Sequence, residues 1–148
     1  MPTLIDPALM RQIIMSHYEK PRNKRTVTDP RYIKIHMNSE SCIDDIHVFL
    51  LVEDGLVKDC AWDGIGCTIS SASTSVMSEL LIGKTLEQAR YIIKQYELML
   101  DEKPFDDEVL DEAIVFINTS KQPSRIKCAL IGWHGAKSLI NHEGDEPK

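Results

Sequence analysis

The hydrophobic pattern of this chain changes its period at Cys67. Branched and aromatic residues are concentrated between positions 46 and 52, which is typical of a β-strand. Residues 53–55 predict a tight turn, and residues 56–62 return as the partner strand of a hairpin. Beyond Cys67 the apolar residues recur at helical spacing, at Ile69, Ala72, Val76 and Leu80. The chain must therefore lead an antiparallel hairpin directly into a helix.

The segments on either side of the hairpin complete the predicted fold. Asp6-Pro7 predicts the start of a helix that ends before Pro21, and a short strand is indicated around Ile33. The remaining helices are predicted after Thr85, which begins a capping box, at residues 106–116, and from Pro123 onward. We predict an α+β fold, in which a small antiparallel three-stranded sheet packs against helices.

Composition narrows the class of protein. The 148 residues predict a single domain over positions 1–148, with a polar tail after about residue 141. A net charge of −6 without a long basic run argues against nucleic-acid binding. No apolar run reaches the roughly 20 residues of a membrane span, and the first residues lack the pattern of a secretory signal. We therefore expect a cytoplasmic protein, whose four cysteines favour metal binding or catalysis over disulfides.

Three cysteines and a carboxylate are the candidate functional residues. Cys42 and Asp44 lie in the loop before the first hairpin strand, Cys67 follows the second strand, and Cys128 lies in the last predicted helix. Three thiols and one carboxylate complete a tetrahedral zinc site or hold an iron–sulfur cluster. The spacing lacks a Cys-x-x-Cys motif, so only the fold can bring these residues together. The alternative is that the cysteines are buried as small apolar residues.

The local sequence around two of the thiols favours the thiolate form. Cys67 is predicted at a helix N-terminus, after Gly64 and Gly66, where the helix dipole stabilises negative charge. Arg125 and Lys127 come just before Cys128 and would balance the charge of a thiolate-rich site.

The remaining candidates have simpler interpretations. Cys60 lies within the returning strand and is predicted to be a packing residue. The five histidines do not cluster in sequence. His17 is predicted either to belong to a partner surface or to be a solvated residue at a helix end.

Several motifs carry a resemblance to a known family over roughly residues 8–140. They are the segment 64–73 around Cys67, the Cys42-x-Asp44 pair, Arg125-Ile126-Lys127-Cys128, the segment 17–23 and Trp133. Together they resemble the U-type iron–sulfur cluster assembly proteins, and most of all the SufU branch. Lys127 stands where the IscU branch has histidine, and an acidic insert near residues 101–121 also matches SufU.

The resemblance implies a function as well as a fold. It implies a zinc site formed by Cys42, Asp44, Cys67 and Cys128, with Cys42 as the catalytic thiol. The protein would be a zinc-dependent sulfurtransferase that accepts persulfide sulfur from a cysteine desulfurase of the SufS type, alongside other cluster-assembly proteins. Two alternatives stay open: a scaffold that carries a transient iron–sulfur cluster on the same cysteines, and a divergent paralogue whose zinc is only structural.

One position departs from the family pattern. The family has glycine between the first cysteine and the aspartate, whereas this chain has Ile43. A β-branched residue does not adopt the positive φ available to glycine, so the loop is expected to differ. Asp45 therefore competes with Asp44 as the predicted carboxylate ligand.

Overall fold

The computed structural model describes residues 6–38 and 43–144. Residues 39–42 lie outside this part of the chain, and Cys42 is among them. The elements in chain order are α1 (Pro7–Glu19), β1 (Ile33–Asn38), β2 (Asp45–Glu53), β3 (Leu56–Ile65), α2 (Thr68–Leu81), α3 (Leu86–Leu100), two 3₁₀ segments (Asp107–Val109 and Asp111–Lys121) and α4 (Pro123–Gly144).

The three strands form one antiparallel sheet in the order β1-β2-β3. The hairpin between β2 and β3 turns at Asp54 and Gly55, whose φ angles are 56° and 73°. Two successive positive φ angles are typical of the tight turn that matches the twist of the strands. The inner face of β2 carries Ile46, Val48 and Leu50, all fully buried against the helices. The predicted α+β fold with a three-stranded sheet is confirmed.

Side chains at the helix starts act as the sequence predicts. The Asp6 carboxylate caps α1 and accepts a hydrogen bond from the Ala8 N–H. Thr85 and Gln88 form a reciprocal capping box at the start of α3, because each side chain bonds the other residue's backbone N–H. These bonds satisfy backbone donors that have no partner inside the helix.

Two boundaries differ from the sequence prediction. The helix expected at residues 106–116 is replaced by the two 3₁₀ segments. Asp111 has a left-handed φ of 48°, and the β-branched residues that follow it disfavour a regular α-helix. At the other end, α4 continues to Gly144, past the position where a polar tail was expected to begin. Residues 145–148 lie outside the described part of the chain.

Small residues let α2 pack closely against α4. The Ser73 hydroxyl donates to the Ala129 carbonyl at 2.6 Å and accepts from the Trp133 indole N–H at 2.9 Å. A Cβ added to Gly132 would lie 2.4 Å from the Thr74 Oγ1. The serine-rich segment of α2 is thus a packing surface. This packing surface holds the N-terminal ends of α2 and α4 side by side.

None of the helices that the structure describes is both long and apolar enough to cross a lipid bilayer.

Candidate metal centre

Asp44, Cys67 and Cys128 come together where β2, α2 and α4 begin. One carboxylate oxygen and the two Sγ atoms all lie within 4.8 Å of one another. Asp44 and Cys128 are buried, and Cys67 is half-buried. We call these three residues the thiol–carboxylate cluster. Three of the four predicted ligands are therefore neighbours in space, although they are far apart in sequence.

Cys67 is held at the N-terminus of α2. It is the residue that caps the helix, and its Sγ accepts the Ser70 N–H at 3.4 Å. The chain reaches this position through Gly66, where an added Cβ would lie 2.3 Å from the Ser70 Oγ. No larger residue fits there without moving Ser70. The predicted placement of Cys67 at a helix start is confirmed.

Asp44 enters the cluster through two hydrogen bonds to the start of α2. Its Oδ1 accepts the Cys67 N–H at 3.0 Å and the Ser70 hydroxyl at 2.8 Å. The neighbouring Asp45 lies on the outer face of the sheet, where its carboxylate pairs with His36. Successive residues of a strand point to opposite faces. The structure therefore places Asp44, and not Asp45, beside the two thiols.

Arg125 supplies positive charge to the cluster. A hydrogen bond to Cys128, together with attraction to the charges of Cys67 and Cys128, raises the pKa of the Arg125 guanidinium above its ordinary value. Arg125 precedes Cys128 by three residues on α4, and residues with that spacing share a helix face. Lys127 is one residue from Cys128 and is exposed. Of the two cations proposed from the sequence, Arg125 is the one that contacts the thiols.

Cys42, the fourth predicted ligand and the predicted sulfur acceptor, lies outside the described residues. Its chain neighbour Ile43 is described, and 67% of Ile43 is exposed. In the sequence, only one residue separates Cys42 from Asp44. The ligand and acceptor roles of Cys42 stay predictions.

The fourth cysteine has no part in the cluster. Cys60 is fully buried in the core, as predicted, and burial raises the pKa of its thiol well above the ordinary value. A buried thiol held in its neutral form is a poor nucleophile and a poor ligand.

The burial of His17 contradicts one interpretation made from the sequence. It is only 1% exposed, so it is not a solvated residue at a helix end. Its Nδ1 lies 2.7 Å from the Ser75 Oγ, and its Nε2 lies 2.8 Å from a Glu112 carboxylate oxygen. The side chain thus joins α1, α2 and the second 3₁₀ segment.

Sequence reasoning missed a second group of potential ligands, formed by His36, Asp45 and His47. The inward-facing Ile35 and Val48 could have shown that both histidines face outward, because side chains alternate along a strand. The pairing of His36 with His47 depends on the register of β1 against β2, which the sequence did not reveal.

Comparisons with known proteins agree with the fold. Residues 9–129 match the model of the NifU-like N-terminal domain family. The chain is 37% identical over 138 residues to the zinc-dependent sulfurtransferase SufU of Bacillus subtilis, and the match covers 92% of each protein. It is also 37% identical over 100 residues to the iron–sulfur cluster assembly scaffold protein IscU of Thermotoga maritima, covering 68% of this chain and 70% of that protein.

A solved structure shows the same architecture. It is that of a protein from Fervidobacterium islandicum AW-1, described as an iron–sulfur cluster assembly scaffold for the SUF system. The two structures align with a TM-score of 0.77 at 32% identity, over 87% of this chain and 94% of that one. The chain belongs to the family of NifU-like N-terminal domains.

Proposed function

We propose that this protein is a zinc-dependent sulfur-transfer protein of iron–sulfur cluster biogenesis, which accepts persulfide sulfur from a cysteine desulfurase of the SufS type. The observation that carries the proposal is the thiol–carboxylate cluster, whose donor atoms lie within 4.8 Å of one another. The similarity to a zinc-dependent sulfurtransferase over 92% of the chain supports it.

The donor set of the cluster fits zinc. Zinc bonds to thiolate and carboxylate ligands are about 2.0–2.3 Å long, so neighbouring ligand atoms of a tetrahedral site lie roughly 3.3–3.8 Å apart. The donor atoms of Asp44, Cys67 and Cys128, which lie within 4.8 Å of one another, reach that spacing by approaching one another by at most about 1.5 Å. Cys42 would be the fourth ligand. When bound, zinc supplies positive charge that keeps the thiols in their thiolate form.

The protein's own residues prepare the site. The Cys67 N–H and the Ser70 hydroxyl fix the orientation of the Asp44 carboxylate. Three thiolates and a carboxylate carry more negative charge than one divalent ion neutralises. Arg125 and the N-terminus of α2 offset part of the excess.

Sulfur transfer requires one nucleophilic thiolate. The Cys42 thiolate would attack the terminal sulfur of the desulfurase persulfide and form a new S–S bond. The donor's S–S bond breaks, and its electron pair leaves with the donor cysteine as a thiolate. The exchange is redox-neutral, because one S–S bond replaces another. Cys128 is buried and Cys67 is a helix cap, so Cys42 is the thiol that best suits this role.

The test combines metal analysis with a desulfurase assay. Protein purified without added metal is expected to contain one zinc per chain and no absorbance from iron and sulfur. It is expected to stimulate a SufS-type desulfurase, and Cys42→Ala should abolish the stimulation. Cys60→Ala is the matched control, because it removes a thiol outside the cluster. This variant should still stimulate the desulfurase.

Two outcomes would contradict the proposal in different ways. Brown protein with labile sulfide would favour the alternative that the similarity to IscU supports, a scaffold for cluster assembly. If Cys42→Ala stimulates the desulfurase as well as the wild type does, Cys42 is not the acceptor. Zinc would then be structural, as in a divergent paralogue.

A further inference from the structure

A second group of metal-ligating side chains lies on the outer face of the sheet. His36 and His47 face each other directly across β1 and β2. Asp45 lies two residues before His47, so its side chain is on the same face of β2. One ligand atom from each of the three residues lies within 4.8 Å of the other two. We call these residues the histidine cluster.

The side chains of the histidine cluster already contact one another. The two imidazole rings stack with their centroids 4.2 Å apart and their planes 6° from parallel. The His36 Nε2 is hydrogen-bonded to the Asp45 Oδ1. The side chains of His36 and Asp45 are 47% and 56% exposed. They can therefore rotate into a coordinating arrangement without disturbing the core.

We propose that His36, Asp45 and His47 bind a divalent transition-metal ion such as Zn²⁺ or Ni²⁺. Two imidazoles and one carboxylate are the donor set of many three-ligand zinc and iron sites. Imidazole nitrogen favours these ions over Mg²⁺ and Ca²⁺, which prefer oxygen ligands. The site is separate from the thiol–carboxylate cluster, because Asp45 contacts His36 on the outer face of the sheet, whereas Asp44 bonds to the start of α2.

The surroundings of the histidine cluster suit a cation with open coordination positions. Asp63 is paired with His47 across β2 and β3 and adds negative charge on that side. Hydrogen bonds from Thr26 and from the Gly64 N–H hold its carboxylate in place. The two histidines and Asp63 line a surface cavity of about 680 Å³, which leaves room for water or another small ligand on the ion. Lys34 also lines this cavity, opposite Phe49 and two residue pairs along the strands from the histidines.

The experiment measures a second metal ion on the full chain. Protein is loaded with one equivalent of Zn²⁺, excess metal is removed, and Ni²⁺ is titrated in while the histidine ring signals are followed by NMR. We expect saturable broadening of the His36 and His47 signals. Excess Mg²⁺ should not reverse it.

Variants distinguish the site from adventitious surface binding. Each of three variants, His36→Gln, His47→Gln and Asp45→Asn, should weaken Ni²⁺ binding at least about tenfold. Tenfold is the smallest loss of metal affinity typical of residues that only support a ligand, and these three are proposed as the ligands themselves. His134→Gln is the matched control, because it removes an exposed histidine of α4 and should leave the affinity unchanged. An unchanged melting temperature would show that each variant is folded.

The proposal is overturned if Ni²⁺ binding does not saturate. It is also overturned if the three cluster variants bind as tightly as the control does, or if the His134 signal broadens in parallel with those of His36 and His47. None of these results would bear on the zinc content of the thiol–carboxylate cluster, which the loading step sets beforehand.

Discussion

The contrast between Arg125 and Lys127 shows how position on a helix decides which charge matters. Both cations precede Cys128 in the sequence, and both were expected to balance the charge of the site. Both side chains are exposed, but Arg125 shares a helix face with Cys128 and bonds to it, whereas Lys127 is the adjacent residue and does not face Cys128. The guanidinium also has several donors in a fixed plane, so it can contact two sulfur atoms at once.

This contrast gives a prediction for a matched pair of variants. Arg125→Gln should speed the loss of zinc to a chelator about tenfold, because neighbours of metal ligands typically change metal affinity by 10–100-fold. Lys127→Gln removes the same charge two residues away and should leave the rate close to that of the wild type. Equal rates for the two variants would show that only the net charge of the helix matters.

At the scale of elements, the contact between α2 and α4 sets the separation of Cys67 and Cys128. Each thiol lies near the start of its helix, so a shift of either helix changes the distance between the sulfur atoms. Gly132 and Thr74 are in close contact within this interface. The helices therefore position the predicted ligands through packing that lies about one turn beyond Cys128 and about two turns beyond Cys67.

Gly132→Ala should separate the two helices. The added methyl would lie 2.4 Å from the Thr74 Oγ1, and overpacking of this kind destabilises a protein by about 1–3 kcal/mol. We expect a lower free energy of unfolding in urea and a weaker zinc affinity. Thr74→Ala, which removes the two closest atoms, should restore part of both losses in the double variant. Strictly additive effects would show that the two residues do not interact.

Much of this element layout could be predicted from the sequence, and the failures have physical causes. Hydrophobic period and capping residues identify the helices and the hairpin, because those signals are local. The pairing of His36 with His47 depends on contacts between separate strands, so it needs the folded sheet. The clustering of Asp44, Cys67 and Cys128 likewise came from resemblance to a family, and spacing alone left it open.

At the scale of the whole molecule, the buried His17 side chain joins three elements through hydrogen bonds. Its ring bonds Ser75 of α2 and Glu112 of the second 3₁₀ segment. Ser75 also accepts the Arg22 N–H at 2.8 Å, which fixes the exit from α1. A buried side chain with two such partners acts as a cross-link between elements.

His17→Phe keeps a ring in this position but removes both hydrogen bonds. We expect a loss of about 1–3 kcal/mol in the free energy of unfolding, the usual cost of leaving buried partners unsatisfied. Zinc content should not change, because His17 lies outside the thiol–carboxylate cluster. His134→Phe serves as the control, since an exposed position should change stability by no more than about 0.5 kcal/mol. Equal stability of the two variants would rule out the cross-link.

The two adjacent aspartates have a consequence for folding errors. A slip of β2 by one residue would exchange the faces of Asp44 and Asp45. The same slip would expose Ile46, Val48 and Leu50, at a cost of about 1.5–3 kcal/mol for each side chain. A chain in the wrong register would therefore expose the buried face of β2 whenever Asp44 and Asp45 changed places. The apolar residues of β2 thus keep Asp44 beside the two thiols and Asp45 beside the two histidines.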